Sequence, residues 1–361
     1  MNDVRELRTR TFRDQQSRST LIGFLAVGFT IIFVASLAIG PTGITFDALP
    51  RAMSAALGLT DDPSAERDRL VLFDIRLPRS LLGAFIGAAL AIAGATMQGL
   101  FRNPLADPGL IGVSSGAALA AVATIAFGST YLSFWTFIFG IYALPIAAMV
   151  GGLATTAALV VVASRGRQLE TATLLLAGIA IAALANAATG FISYLSDDRQ
   201  LRDLTLWSMG SLSGASWSKV AAIIPLAMGL LVTLPFLSRP LNALILGEAE
   251  AFHLGIDVEY AKRVAIAATA LSVGAAVAVA GIVGFIGLIV PHLIRLVAGP
   301  DHRIVLPAGA ILGAALVLVA DILARMLVAP AELPLGIVMA AIGAPIFMHL
   351  VLRRGAAVGG I

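Results

Sequence analysis

The sequence predicts an all-α integral membrane protein that folds as a bundle of ten transmembrane helices. Its 361 residues are 59% hydrophobic and only 12% charged, whereas soluble domains carry about 25% charged residues. The apolar residues form long continuous runs, which is the pattern of membrane-spanning helices and not the alternation of a β-barrel. The composition therefore excludes a water-soluble enzyme, and the absence of cysteine excludes disulfides and thiolate chemistry.

The first apolar run, 21–39, follows an arginine-rich segment, 1–20. The run is too long for the hydrophobic region of a cleaved signal peptide. We therefore expect a retained first helix behind a cytoplasmic N-terminal arm. The polar stretch 42–74 that comes next is expected to lie on the outer side of the membrane.

Nine further apolar runs complete the predicted bundle. They lie at 80–100, 109–127, 137–163, 171–194, 219–237, 264–284, 286–298, 305–324 and 335–352. An even number of spans returns the chain to its starting side, which predicts one transmembrane domain, 21–352, and a cytoplasmic tail, 353–361. Arginine and lysine are more frequent in the loops that this threading assigns to the cytoplasm, Arg165 and Arg167 among them, as the positive-inside rule requires.

Small residues recur at helical spacing within the runs. Gly83 and Gly87 form one GxxxG pair, and Gly309 and Gly313 form another. Glycine faces let helices approach closely in a membrane. We interpret these pairs as packing surfaces and not as contacts to a substrate.

The chain lacks the groups that would power transport by itself. It contains no G-x-x-x-x-G-K-[ST] motif, so it cannot hold a nucleotide in a P-loop. Asp321 is the one carboxylate clearly inside a predicted span, and Arg325 four residues later can pair with it. An ion-coupled carrier usually needs ionisable groups or broken helices near the midplane, and an intramembrane enzyme needs a paired acid and base. Uphill transport would therefore draw its energy from another subunit.

The longest predicted cytoplasmic connection contains a candidate segment for coupling to such a subunit, 240–262. Gly247 and Gly255 bracket a short helical stretch in which Glu248 and Phe252 supply acidic and apolar contacts. Short amphipathic helices suit docking into a groove of a partner. A helix that simply lies on the membrane surface is an equally good interpretation of the composition.

Two arginines open the second predicted span, and a third ends the ninth on the same side. Arg76 and Arg79 are three residues apart and share one helix face. Arginine presents a rigid fork to carboxylates, so together with Arg325 they predict a cluster that receives acidic residues of a partner. The alternative is that each arginine snorkels to lipid headgroups.

Residues 76–120, RLPRSLLGAFIGAALAIAGATMQGLFRNPLADPGLIGVSSGAALA, resemble the permeases of the iron-siderophore, haem and vitamin B12 class of ABC importers. The resemblance covers nearly the whole chain after about residue 70. Further matching segments follow in the order expected for this class: LLLAGIA at 174–180, LWSMGSLSGASW at 206–217, GEAEAFHLGID at 247–257, GFIGLIVPHLIRL at 284–296, DHRIVLPAGA at 301–310, ADILAR at 320–325 and ELPLGIVMAAIGAPIF at 332–347.

The resemblance implies a ten-helix permease of the vitamin B12 importer type in the bacterial inner membrane. Such a subunit pairs with a second copy of itself, two ABC ATPase subunits that carry ATP and Mg²⁺, and a periplasmic binding protein. Nucleic acid is not an expected partner, since the net charge is only +3. Matched positions imply binding-protein docking by Arg76, Arg79 and Arg325, ATPase coupling by Gly247, Glu248, Ala251 and Gly255, and a cytoplasmic gate at Thr171.

The transported substrate is expected to be haem, because the portion QLRDLTLW within 195–212 resembles haem-importing members. Arg199 and Arg202 could guide the two haem propionates; alternatively, they pair with neighbouring aspartates in a solvated loop. Ferric siderophore and cobalamin remain alternative cargoes. No permanently bound cofactor or metal is expected. Three further residues are candidates for the pathway, with helix packing as the alternative for each: Asn186, Met97 and Met209.

Overall fold

The backbone of the computed structural model is described over residues 2–41, 48–60, 62–164 and 169–358. Side chains are described within these ranges except at 2–17, 224–232, 234, 235, 350, 351 and 353–358. Arg165 and Arg167, which entered the assignment of the cytoplasmic loops, lie outside the described residues.

The described chain is a helical bundle in which short turns join long helices. A π-helical turn, Val71–Arg76, joins the third helix to the fourth. In chain order the helices are α1 (Asn2–Ala38), α2 (Ala48–Ala56), α3 (Pro63–Leu70), α4 (Leu77–Leu100), α5 (Val113–Phe127), α6 (Ser133–Phe139), α7 (Ala143–Ala163), α8 (Thr171–Leu195), α9 (Asp198–Ser208), α10 (Trp217–Leu246), α11 (Glu248–His253), α12 (Val258–Ala280), α13 (Ile286–Ala298), α14 (His302–Met326) and α15 (Leu335–Val358).

The apolar helices agree with the ten predicted spans. Among the described residues, six helical stretches are long and apolar enough to cross a membrane, and four shorter apolar helices accompany them. Each overlaps or adjoins one predicted run. The long stretches are Arg18–Ala38, Pro63–Leu100, Ser133–Ala163, Thr171–Leu195, Val258–Ala280 and His302–Met326, and the shorter ones are Val113–Phe127, Phe236–Leu246, Ile286–Ala298 and Leu335–His349.

The polar stretch before the second span contains helices that hydropathy did not predict. The second helical stretch begins at Pro63 and not at residue 80, because α3, the π-helical turn and α4 are continuous. The side chain of Asp62 caps α3 by accepting a hydrogen bond from the backbone N–H of Ser64, and Pro63 suits the first turn. Because α3 consists largely of polar residues, a search for apolar runs does not predict it.

Other helix boundaries differ from the predicted ones where a glycine or a capping side chain sets the first or last residue of the helix. The predicted span 109–127 begins as α5 only after Gly112, whose φ of 74° is left-handed. The predicted span 264–284 is α12, which is capped by Asp257 and ends before Gly281 at a φ of 70°. In the predicted outer segment 195–212, Asp197 and Gln200 form a capping box that starts α9.

The helix α4 lies at the centre of the bundle, and glycines let its neighbours approach it. A Cβ on Gly87 would collide with the carbonyl of Gly313 on α14, and one on Gly94 would collide with Gly287 on α13. The predicted glycine faces therefore do act in packing. By contrast, most of α8 and of the described part of α1, Arg18–Ala38, is not covered by the rest of the chain.

Candidate functional site

Two groups of predicted functional residues lie at opposite ends of the bundle. We call them the Arg79 end, where α4 begins and α14 finishes, and the Glu248 end, where α10 finishes and α12 begins. Each group is assembled from helices that are distant in sequence.

At the Arg79 end, one buried carboxylate joins two of the three predicted docking arginines. Arg79 Nη2 lies 2.9 Å from Asp321 Oδ1, and Arg325 Nε lies 3.0 Å from Asp321 Oδ2. Asp321 is only 1% exposed. The predicted local pair between Asp321 and Arg325 is confirmed, and Arg79 makes it a three-residue network.

The remaining contacts of this group join α1, α4, α14, the π-helical turn and the loop before α15. Arg79 Nη1 lies 2.8 Å from Oε1 of Glu332, which precedes α15. Arg76 Nη1 donates hydrogen bonds to the carbonyl oxygens of Leu37 and Ala38, at 2.6 and 2.7 Å. Arg325 Nη1 donates to the carbonyl of Ile39. We call Arg76, Arg79, Arg325, Asp321 and Glu332 the arginine cluster.

The arginine cluster is enclosed within the chain, which contradicts the alternative that each arginine snorkels to lipid headgroups. Arg76 and Arg325 are buried, and Arg79 is nearly so. The three side chains therefore do not snorkel to lipid in this structure. The cluster brings three guanidinium groups together with two carboxylates.

At the Glu248 end, the predicted short helix between two glycines is confirmed as α11. Gly247 has a φ of 133° and Gly255 a φ of 78°, and both are conformations that favour glycine. Ala251 is completely buried and anchors the helix, whereas Phe252 is 70% exposed. A cavity of about 800 Å³ lies between α11 and the start of α12.

The candidate gate residue contacts the candidate coupling helix. Thr171 Oγ1 donates a hydrogen bond to Glu248 Oε1 at 3.2 Å. The other oxygen of Glu248 lies 2.8 Å from Nζ of Lys262, which also donates to the carbonyl of Leu169 at 2.7 Å. Glu259 accepts a hydrogen bond from the backbone N–H of Leu169. We call Thr171, Glu248, Lys262 and Leu169 the coupling link, because they tie α11 and α12 to the start of α8.

Sequence reasoning missed two members of these groups, Lys262 and Glu332. Lys262 is one of two lysines in the chain, and it is 2% exposed beside the predicted coupling segment. A buried lysine requires an anionic partner. Glu248, which was already predicted to act in coupling, is that partner. Glu332 lies within one of the segments on which the family resemblance rests. Because it is 253 residues from Arg79, no local sequence pattern predicts that the two residues pair.

The predicted substrate residues are not brought together in this single chain. Arg199 and Arg202 are exposed on α9, and none of the ion pairs among the described residues joins them to the neighbouring aspartates, because Asp197 caps the helix. Met209, at the end of α9, is 36% exposed. The arginines are therefore free to meet an anionic group from outside the chain.

The two remaining pathway candidates differ in exposure. Met97 is completely buried in the hydrophobic core, so it borders no open surface in this structure. Asn186 is exposed on the uncovered face of α8, beside Leu184, which is also exposed. A polar amide on an otherwise apolar, uncovered helix face indicates a polar surface or a partner rather than lipid.

The model of the FecCD transport family matches residues 28–353. The chain is 43% identical over 334 residues to the hemin transport system permease protein HmuU of Yersinia pestis, covering 92% of this chain and 96% of that protein. It is 42% identical over 297 residues to the vitamin B12 import system permease protein BtuC of Escherichia coli, covering 81% and 87%.

A solved structure supports the same assignment. A metal-chelate type ABC transporter in an inward-facing conformation superposes with a TM-score of 0.80 and 31% identity, covering 93% of this chain and 99% of that one. The family model therefore spans the bundle from α1 to α15, and the matched range contains the residues of the arginine cluster. The chain belongs to the FecCD transport family, the permeases of ABC importers.

Proposed function

We propose that this chain is the permease subunit of an ABC importer that carries haem across the bacterial inner membrane. The observation that carries the proposal is the 43% identity to a hemin permease over 92% of the chain. We place the arginine-rich N-terminus, the C-terminal tail and the Glu248 end in the cytoplasm, as the distribution of basic residues favours. The Arg79 end then faces the periplasm.

A vitamin B12 or ferric siderophore importer is the second candidate. The relative that imports vitamin B12 is 42% identical, almost as similar as the hemin permease. Such a protein would use the same bundle, arginine cluster and coupling link. The two candidates differ only in cargo.

We propose that the transporter contains a second copy of this chain, two ABC ATPase subunits and a periplasmic binding protein. The uncovered face of α8 supports the second copy, because Asn186 on it would be costly in lipid. Two such faces across a twofold axis would form a pathway. The ATPase subunits would bind and hydrolyse ATP with Mg²⁺, since this chain has no P-loop.

The binding protein would dock at the Arg79 end through Arg76, Arg79 and Arg325. The positive charge of these arginines supports attraction of an acidic partner. Because Arg79 already pairs with Glu332, which is 30% exposed, an incoming carboxylate would compete with Glu332. Glu332→Gln should therefore strengthen salt-sensitive association, whereas charge reversal of Arg76 and Arg79 should weaken it.

At the Glu248 end, ATPase movement would reach the gate through the coupling link. Gly247 and Gly255 would let α11 tilt, and buried Ala251 would keep it seated. Glu248 contacts both Thr171 and Lys262, so displacement of α11 pulls on the first turn of α8. Thr171 would open or close the cytoplasmic end of the pathway.

Haem would enter at the Arg79 end beside α9. Arg199 and Arg202 supply exposed positive charge for its propionates. Met209 offers an adjacent exposed apolar surface. Asn186 would line the pathway beyond, while Met97 would contact cargo only if the helices separate.

The test is uptake by the full complex reconstituted in vesicles with its ATPase subunits and binding protein. Binding protein loaded with haem is compared with binding protein loaded with ferric siderophore or cobalamin. Haem-dependent uptake with stimulated ATP hydrolysis supports the proposal. Uptake of another cargo instead removes the haem assignment, and uptake by this chain alone would establish an ion-driven carrier.

A further inference from the structure

A second pocket lies at the Glu248 end, apart from the coupling link, and it is lined by basic residues. It has a volume of about 280 Å³ and opens between the ends of α4, α10, α13 and α14. Its polar and basic lining comes from Gln98, Arg102, Arg295 and His302. Basic pockets between transmembrane helices suit the headgroups of anionic lipids.

Arg295 reaches this pocket with most of its hydrogen-bonding capacity unused. It donates to Gln98 Oε1 and, at 3.4 Å, to the carbonyl of Ala95. A guanidinium has five N–H donors, and none of the ion pairs among the described residues includes Arg295. Asp301, next to the pocket wall, is occupied by Arg18 and Asn242.

His302 adds a second unsatisfied group to the wall. It is 1% exposed, and Nε2 has no hydrogen-bond partner in the described part of the chain. Its Nδ1 lies 3.0 Å from the side-chain oxygen of Asn242, so Nδ1 donates there and Nε2 is an acceptor in the neutral ring. A buried polar atom without a partner is unfavourable, and His302 lies inside the pocket wall against Gly99.

Arg102 is placed at the pocket despite a backbone cost. Its φ of 48° is left-handed, which favours glycine or asparagine after a helix. It follows the end of α4, where Asn103 N–H bonds to the carbonyl of Gln98. The arginine side chain is exposed, so a second positive charge lies at the pocket mouth.

Exposed apolar residues border the same pocket. Ile245 in the pocket lining is 43% exposed. Leu296 and Val297, which follow Arg295 on α13 outside the lining, are 63% and 74% exposed. An apolar border beside a basic pocket places the pocket at the boundary between hydrocarbon and water. Acyl chains can lie along the border while a phosphate reaches Arg295.

We propose that this pocket binds the phosphate headgroup of an anionic phospholipid. Arg295 and Arg102 bind the phosphate oxygens. The shared chemistry of the ligand is the phosphate, which a lipid or a free anion could supply. The apolar border favours the lipid. The proposal rests on the family being a membrane permease and is independent of the cargo.

The test measures thermal unfolding of the full chain in detergent while lipid is added. We expect phosphatidylglycerol to raise the unfolding temperature more than phosphatidylcholine, and inorganic phosphate at the same concentration to have little effect. Arg102→Asn keeps a residue that tolerates the left-handed backbone and should weaken phosphatidylglycerol binding about tenfold, the loss expected for a charge-assisted hydrogen bond. Arg303→Gln, an exposed arginine at the same end but outside the pocket, is the matched control.

Each result decides the proposal. A phosphatidylglycerol effect that Arg102→Asn weakens and Arg303→Gln preserves supports it. Equal stabilisation by phosphatidylcholine, or equal weakening by both variants, overturns it because binding would then be nonspecific. Full stabilisation by inorganic phosphate alone overturns the assignment to lipid.

Discussion

At the scale of single residues, Asp321 is the group on which the Arg79 end depends. Its two carboxylate oxygens bind the guanidinium groups of Arg79 and Arg325, and all three side chains are buried or nearly so. Burying a charge is tolerated when it is paired and hydrogen-bonded. Removal of Asp321 leaves Arg325 without its carboxylate partner and leaves Arg79 with Glu332 alone.

We expect Asp321→Asn to lower the free energy of unfolding by about 3–5 kcal/mol, the cost of breaking a buried ion pair from one side. Thermal unfolding of the purified chain in detergent measures the loss. Glu66→Gln is the matched control, because Glu66 pairs with Arg69 on the surface and exposed pairs contribute little. Equal shifts for the two variants would contradict a special role for Asp321.

Asp301 makes stability at the Glu248 end depend on pH. Burial acts to raise the pKa of Asp301, but hydrogen bonds from Asn242 and the Arg303 backbone N–H, together with the charge of Arg18, hold this pKa below its ordinary value of 3.8. The folded state therefore favours the carboxylate. Its contribution to stability is complete above pH 3.8 and is lost as the pH falls through the lower folded-state pKa.

The stability difference between the wild-type chain and Asp301→Asn should be constant near neutral pH and should shrink below about pH 4, where the unfolded carboxyl begins to protonate. Unfolding temperatures measured from pH 7 to pH 3 give this difference. Arg18→Gln removes one group that lowers the pKa, so its acid transition should lie at higher pH. A difference that stays constant to pH 3 would contradict the argument.

At the scale of helices, α4 is held in the centre by glycine contacts. Gly87 faces Gly313 on α14, and Gly94 faces Gly287 on α13, with no room for a Cβ at either contact. Close backbone approach increases dispersion contacts, which matter in a membrane where burial of apolar area gives little. The glycine pairs thus determine how near the helices lie.

Gly87→Val should destabilise the bundle by about 1–3 kcal/mol, because the added methyl groups overpack the α4–α14 contact. Gly23→Val on α1 is the control, since a Cβ at Gly23 has nothing within 4 Å. Unfolding temperatures in detergent compare the two. A larger effect at Gly23 would mean that helix contacts differ from those described.

Lys262 is the buried charged residue of the coupling link, which joins α11 and α12 to the start of α8. Lys262→Met removes the buried ammonium that joins Glu248 to the Leu169 carbonyl. We expect uptake per ATP hydrolysed to fall about tenfold, within the usual range of coupling energies between sites. Uptake and hydrolysis are measured together in the reconstituted complex.

The control for this experiment is Arg263→Gln. Arg263 pairs with Oε1 of Glu259, whereas the hydrogen bond from Leu169 goes to Oε2 of Glu259. In the described contacts Arg263 itself touches neither α8 nor α11. Its ratio of uptake to hydrolysis should stay near the wild-type value. If Lys262→Met lowers uptake and hydrolysis equally, the residue stabilises assembly and does not transmit movement.

At the scale of the whole molecule, the bundle leaves α8 uncovered along most of its length. Leu176, Leu184 and Phe191 are exposed there together with Asn186. The helix α1 is equally exposed but presents an apolar surface, including Phe24. We infer that α8 faces a pathway or a second copy and that α1 faces lipid.

The chain has no cysteine, so single cysteines can test this difference directly. In the assembled transporter, Asn186→Cys should react at least about tenfold faster with a water-soluble maleimide than Phe24→Cys, because only hydrated thiols ionise readily. The labelling is done in permeabilised vesicles so that both sides are accessible. Equal rates would place both helices in the same environment and contradict the pathway assignment.

Local features of the sequence determined the fold class and several parts of the site. Continuous apolar runs predict the ten spans, because a helix must satisfy its backbone hydrogen bonds within the bilayer. Gly247 and Gly255 predict the limits of α11, and the spacing of Asp321 and Arg325 predicts their pair. Each of these signals lies within one helix or turn.

Only the tertiary structure decided which distant residues meet. Arg79 and Glu332 are 253 residues apart, and Thr171 and Glu248 are 77 apart, so no local pattern joins them. Lys262 acquires its role because α11, α12 and the start of α8 pack at one place. Hydropathy and helical spacing describe single helices, whereas ion pairs and buried surfaces depend on which helices become neighbours.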